Sequence, residues 1–117
     1  MPDLKIIKEF PDNFTFGVAT SSYQIEGNSF GNSGLSHWDH FSKIEGNVHN
    51  NVSGRIACAH VLNYKEDIKL IAEAGFSAYR FSFSWPRIIP DGKGRINEDG
   101  ISFGFARVFY VYRWVEK

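Results

Sequence analysis

The chain is predicted to be an α/β protein whose strands run parallel. Three observations carry that reading: residues 14–19 alternate bulky and small side chains, residues 61–72 switch to steps of three and four, and residues 78–85 return to alternation. A strand, a helix of crossover length and a second strand, in that order, make a βαβ unit.

In the first strand Phe14, Phe16 and Val18 fall on one side and Thr15, Gly17 and Ala19 on the other. A sheet closed into a small barrel divides its residues in this way, with bulky side chains against an outer helix layer and small ones leaving room near a ligand. After Thr20 the alternation stops, and Ser21 to Gln24 read as a loop leaving the strand's C-terminal end. The stretch from Gln24 to Ala59 is rich in Gly, Asn, Ser and His and has no sustained periodicity. Structureless connections of that length are uncommon and often functional, and at the C-terminal end of a barrel strand they form an active-site wall.

Val61, Tyr64, Ile68, Ile71 and Ala72, with Lys65, Glu66, Asp67, Lys69 and Glu73 between them, predict an amphipathic helix. Gly75 stands where that helix ends, since glycine enters the left-handed conformation without a Cβ clash. The second strand has an aromatic face, Tyr79, Phe81, Phe83 and Trp85, and a polar one, Ala78, Arg80, Ser82 and Ser84. If the aromatic face meets helices, Arg80 points into the barrel interior, where its charge requires a carboxylate partner; a solvent-exposed edge arginine is the alternative. Asp91-Gly92-Lys93-Gly94 is a turn signature. In the tail, Phe109 to Tyr112 favour a strand, and Arg107, Arg113 and Lys117 add a basic bias.

Composition narrows the partners. Thirteen basic and thirteen acidic side chains in 117 residues give a formal net charge of zero, which points to neither nucleic acid nor an anionic membrane. Aromatic content, 16% with eleven Phe, suits a large core or a sugar-stacking cleft, with the core as the use of most of it. The single Cys58 excludes an internal disulfide and suits a reducing compartment. Residues 1–9 interrupt every apolar pair with charge and lack a leader's apolar core, so a cytoplasmic setting is expected. The glycosylation patterns at Asn13 and Asn51 then carry no weight. No segment approaches the ~18 apolar residues of a membrane span.

No cofactor and no metal are expected. His37 and His40, with Asp39 between them, imitate a metal pair, but a turn of loop helix with Trp38 packed beneath it is the preferred reading; His49 and His60 have no partner at ligand spacing. Trp38 and Trp85 could stack on sugar rings, though packing is the expected use of both.

Residues 14–27, Ser36-His37-Trp38-Asp39, Tyr64-Lys65-Glu66-Asp67 and the run from Ala78 to Ile88 closely resemble, in order and spacing, segments of glycoside hydrolase family 1, the retaining β-glucosidases and β-galactosidases. Asp91 to Gly94 and Asn97 to Ile101 extend the resemblance, which covers roughly residues 9–103 and leaves 104–117 as a divergent tail of one N-terminal barrel fragment. Ala59, Val61 and Leu62 depart from the family's pattern. The resemblance implies the first two βα units, about a quarter, of a (β/α)8 barrel that needs on the order of 250 residues.

It also implies roles. Gln24 matches the glutamine that contacts hydroxyls of the nonreducing sugar, and an amide with two donors and an acceptor can bridge vicinal hydroxyls. Arg80 matches the arginine that holds the nucleophilic glutamate ionised. Glu26 is read as a structural hydrogen-bond acceptor, not a catalyst. Retaining hydrolysis needs two carboxylates about 5 Å apart. The family carries them in Asn-Glu-Pro and Glu-Asn-Gly segments, neither of which occurs in these 117 residues.

The expected function is therefore the N-terminal part of a retaining β-glycosidase acting on β-glucosides or β-galactosides in the full-length relative, with this piece inactive alone. A carbohydrate-binding remnant without chemistry and a complementation segment for a separate barrel remainder are the alternatives. Two strands cannot close a barrel, so the isolated piece is expected to self-associate through exposed edges and aromatic faces.

Overall fold

The computed structural model describes residues 10–115. The charged segment 1–9, read above as lacking a leader's apolar core, lies outside them, as does Lys117.

Two short strands, β1 (Gly17–Ala19) and β2 (Ala78–Arg80), pair in parallel with Gly17 opposite Ala78, Val18 opposite Tyr79 and Ala19 opposite Arg80. The predicted βαβ unit is present, and its sheet is open on both edges. Val18 and Tyr79 are half-buried on one face, while Gly17, Ala19, Ala78 and Arg80 are exposed on the other. The bulky face meets helices, as the alternation predicted, and the small face is left uncovered.

Both strands are shorter than their sequence pattern. Past Ala19 and Arg80 the chains stay zipped by side chains and by a single backbone bond, Thr20 N–H to the Arg80 carbonyl at 2.9 Å. The Ser22 N–H donates to Ser82 Oγ at 2.9 Å, and the two hydroxyls lie 2.7 Å apart. Ser22 to Gln24, expected in a loop, begin a one-turn helix, α1 (Ser22–Ile25).

The long connection is organised rather than structureless. It holds α2 (His37–Lys43), begun by a capping box between Ser36 and Asp39, and a 3-10 turn at His49–Asn51. Its two limbs pair through Asn28 N–H to the Gly54 carbonyl and Ser29 N–H to the Arg55 carbonyl, both 3.1 Å. The Tyr23 hydroxyl accepts from Gly54 N–H at 3.0 Å and donates to Ser42 Oγ at 3.2 Å.

The predicted crossover helix is α3 (His60–Glu73), and Gly75 follows it at φ +86°. After β2 the aromatic alternation breaks at α4 (Trp85–Ile88), whose first turn carries Pro86. Then α5 (Glu98–Val115) runs for 18 residues through the tail.

This helix corrects the strand expected at Phe109 to Tyr112. Aromatic and β-branched residues favour a strand over four positions, but Gly100, Phe103, Gly104, Arg107, Tyr110, Val111 and Trp114 recur at steps of three and four and turn inward together. The longer period sets the structure because it is the one that buries a face.

Helices α3 and α5 pack on the bulky face of the sheet. Ile68 and Phe103 are buried there, with Tyr64 edge-on to Phe103 at 5.7 Å and to Tyr110 at 6.0 Å. His60 is buried beside them, its Nδ1 2.7 Å from Asp67 Oδ2. The start of α5 lies so close to α4 that a Cβ on Gly100 would stand 2.2 Å from the Arg87 carbonyl oxygen. Gly100→Ala is expected to force the helices apart at a cost of about 1–3 kcal/mol, read as faster amide exchange through α4 and the first two turns of α5.

Candidate functional site

The C-terminal ends of β1 and β2 present the two residues singled out from sequence. Arg80 closes β2 on its exposed face, and its guanidinium has no hydrogen bond or ion pair among the described residues. Gln24 lies on the exposed side of α1, immediately after β1, and its side chain is free of protein hydrogen bonds among the described residues. The fold brings them to one end of the sheet without joining them to each other. Gln24 lines a cavity of ≈ 270 Å³ with Tyr23, Trp38, Val48, Val52 and Gly54.

Two residues after Gln24 the chain turns inward at Glu26, which is 2% exposed. Its carboxylate accepts from Arg87 Nε at 2.8 Å on one oxygen and from Arg107 Nη1 at 3.1 Å on the other. Arg87 also donates to the carbonyls of Phe30 at 2.6 Å and Gly27 at 3.0 Å, so a single guanidinium holds the start of the loop. Arg107, 1% exposed, donates to the Ser82 carbonyl at 2.9 Å, while its Nε is buried without a partner.

The Arg107 guanidinium lies 4.3 Å from the centroid of Phe81, 4.8 Å from Phe103 and 5.4 Å from Phe83. Burial pushes its pKa below the usual arginine value, and the Glu26 carboxylate opposes that shift. Asn97, also buried, donates to the carbonyls of Gly31 and Arg87, both at 2.8 Å, and so joins the same loop to α4 and the start of α5.

Glu26 is thus the acceptor the sequence suggested, and it is not free for chemistry. Its partners were missed because they stand 61 and 81 residues away, where no local spacing points to them. Only the inward period of α5 could have flagged Arg107 as a buried cation in need of an anion.

The histidines between Ser36 and Phe41 serve α2. Asp39 caps that helix through Ser36 and accepts from Asn28 Nδ2, and Trp38 packs beside His37, Tyr23 and Phe41 at ring distances of 5.2, 6.2 and 5.8 Å. Among the described residues no group of His, Cys, Asp or Glu side chains is arranged to hold a metal ion. Trp38 and Trp85 both remain exposed, and Trp85 Nε1 donates to the Gly92 carbonyl at 3.2 Å. Both line a cleft of ≈ 450 Å³ that reaches Glu26 and Arg87. No helix among the described residues is long and apolar enough to cross a membrane.

Parallel strands joined through a helix on one face, with polar residues gathered at their C-terminal ends, define the opening units of a (β/α)8 barrel. The structure superposes on the family 1 β-glucosidase from Thermotoga maritima with a TM-score of 0.84 at 46% identity, over 92% of this chain and 24% of that one. It superposes on the virulence factor SghA, solved with its substrate analog salicin, with a TM-score of 0.88 at 43% identity, over 95% and 25% of the two chains.

The sequence profile of Glycosyl hydrolase family 1 matches residues 6–110, and the chain belongs to that family. That match takes in the first part of the stretch 104–117, where divergence was expected. Beta-glucosidase A of Thermotoga maritima is 51% identical over 92% of this chain and 27% of its own length. Beta-glucosidase 42 of Arabidopsis thaliana is 51% identical over 88% and 21%. The chain spans about a quarter of the length of the curated relatives it matches.

Replacing Glu26 by Ala would strand two buried arginines. It is expected to cost about 3–5 kcal/mol and to release the segment 22–35, seen as loss of its amide-exchange protection. Arg107→Met leaves the Glu26–Arg87 pair in place and is expected to retain most of that protection.

Proposed function

We propose that this chain is the N-terminal part of a retaining β-glycosidase of the β-glucosidase type, that it supplies one sugar-reading and one charge-setting residue, and that it has no turnover alone. The observation that carries this reading is the placement of Gln24 and Arg80, both uncommitted to protein partners, at the C-terminal ends of adjacent parallel strands. That end is where barrel enzymes assemble their active sites.

The division of labour follows from the side chains. Gln24 offers donors and an acceptor to neighbouring hydroxyls of a β-glucoside or β-galactoside, and its amide reads their orientation. Arg80 faces the barrel interior, where its fixed fork can hold a carboxylate ionised and aimed at the anomeric carbon. Neither supplies or accepts the proton that bond cleavage requires, so the two reacting carboxylates must come from elsewhere in the barrel. The setting proposed is cytoplasmic, where the exposed thiol of Cys58 stays reduced.

The test is a chimera in which residues 1–110 replace the matching segment of Thermotoga maritima β-glucosidase A. It is expected to release nitrophenol from nitrophenyl β-glucoside, while the 117-residue chain alone releases none. Gln24→Ala is expected to lower kcat/KM about 10- to 100-fold through lost hydrogen bonds. Arg80→Met removes a cation that depresses a carboxylate pKa, so the acidic limb of the pH profile should move up by about 1–3 units. An inactive but folded chimera, or variants that leave both profiles unchanged, would sink the assignment.

A second reading, sugar binding without chemistry, is favoured by one observation: Gln24 and Trp38 line a single cavity. It expects cellobiose at millimolar concentration to quench tryptophan emission of the isolated chain and to do so less in Trp38→Ala. Unchanged emission across the titration would remove it.

A further inference from the structure

Gln24 is carried by α1, a helix of a single turn, and one turn has little stability of its own. The direction of its amide is therefore decided by whatever holds the two ends of that turn. The C-terminal end is held by the Glu26 network: Glu26 N–H donates to the Ser22 carbonyl at 2.9 Å while its carboxylate is gripped by Arg87 and Arg107. The N-terminal end has no such support from its own sequence. Ser21 stands at the N-cap position with the extended backbone that capping needs, yet its side chain makes no cap hydrogen bond.

The support comes from the other strand. Thr20 N–H donates to the Arg80 carbonyl, and Ser22 N–H, two residues on, donates to Ser82, two residues past Arg80. In a continuing parallel ladder that second bond would end on the Ser82 carbonyl. Because the chain is turning into α1, it ends on Ser82 Oγ instead, at 2.9 Å. The Ser82 carbonyl, free of the ladder, accepts from Ser22 Oγ at 3.0 Å and from Arg107 Nη2 at 2.9 Å. With the Ser22 hydroxyl proton committed there, the 2.7 Å contact between the two hydroxyls has Ser82 as its donor. Each hydroxyl then donates once and accepts once, and no proton of the pair lacks an acceptor.

We propose that Ser82 is a positioning residue, which caps α1 from the neighbouring strand and so sets the direction of the Gln24 amide relative to Arg80. This rests on the sugar-reading role of Gln24 given above and goes beyond it by naming what aims the amide. Other contacts nearby do not serve that purpose. Thr20 Oγ1 and the Tyr79 hydroxyl also bridge the strands, at 2.7 Å, but they meet before α1 begins and leave its amides untouched. The Tyr23 hydroxyl binds Gly54 and Ser42, which ties the loop to the helix and not the helix to the sheet. Among the described residues Ser82 alone joins an α1 amide to the chain that carries Arg80.

Two measurements test the role. In the 117-residue chain, Ser82→Ala is expected to speed amide exchange at Ser22, Gln24 and Glu26 about two- to thirtyfold, the loss that follows removal of one helix cap, and Ser82→Thr, which keeps the hydroxyl, is expected to restore the protection. Exchange that stays unchanged in Ser82→Ala, or that rises equally through α3, overturns the proposal. In the chimera described above, Ser82→Ala should lower kcat/KM for nitrophenyl β-glucoside about two- to thirtyfold while Gln24 is present, and by less than about twofold once Gln24→Ala has removed the amide to be aimed. An equal loss in both backgrounds marks a structural serine that does not act through Gln24, and defeats the positioning role. The two ideas fail separately. If Gln24→Ala leaves the kinetics unchanged, or the folded chimera is inactive, the sugar-reading role is lost, and exchange at Gln24 and Glu26 alone decides whether Ser82 holds α1.

Discussion

A single buried carboxylate ties this structure together. Glu26 draws Arg87 from α4 and Arg107 from α5 onto the first residues of the loop that follows β1. Three charges leaving water at one place is costly, and an ion pair in such a setting is sustained only when the remaining donors are also met. Here most of them are: Arg87 spends its other nitrogens on Phe30 and Gly27, and Arg107 reaches Ser82 while its flat face lies between phenylalanine rings. The network therefore fixes geometry more than it adds stability. It sets where the chain goes after Gln24, and hence where that amide can point.

The dependence on charge is heavier because the apolar core is slight. Among the described residues only Ile68 and Phe103 are buried hydrophobic side chains, while Phe14, Leu62, Leu70, Phe83, Phe105 and Phe109 remain exposed. Two strands of three residues each add few ladder bonds, and a two-stranded sheet is marginal in water without broad support. In an ordinary domain, side chains of this size would close over one another. Here Leu62, Leu70, Phe105 and Phe109 stand on the outer sides of α3 and α5, and the long loop is instead held by Glu26, by Asn97 and by the Tyr23 hydroxyl.

Much of this was legible in the sequence wherever the signal was periodic. The alternation around Val18 and around Tyr79 gave the two faces of the sheet, and the spacing from Val61 to Ala72 gave α3, with Gly75 at φ +86° just past its end. Strand lengths were not legible, because alternation records which face a residue shows and not whether a neighbour's backbone is there to pair with it. Past Arg80 the pattern continues through Phe81 and Phe83 while the ladder has stopped. The tail misled for the opposite reason: four β-favouring residues from Phe109 sit inside a helix whose buried face is set by residues from Gly100 to Trp114. The Glu26 network was invisible for want of any local signature.

The two kinds of arginine in this chain have opposite fates, and the contrast gives the fold its functional sense. Arg107 stands on the helix-covered side of the sheet, where burial lowers its pKa and a carboxylate within the chain compensates. Arg80 stands on the open side, one residue before the alternation carries Phe81 back toward the helices, and nothing among the described residues compensates it. Had evolution needed only a stable βαβ unit, an inward position between alanines would hold an apolar residue of moderate size. A strong base kept there, beside small neighbours that clear space in front of it, is a poor choice for packing. On the proposed reading it serves instead to hold a carboxylate that the rest of a barrel supplies.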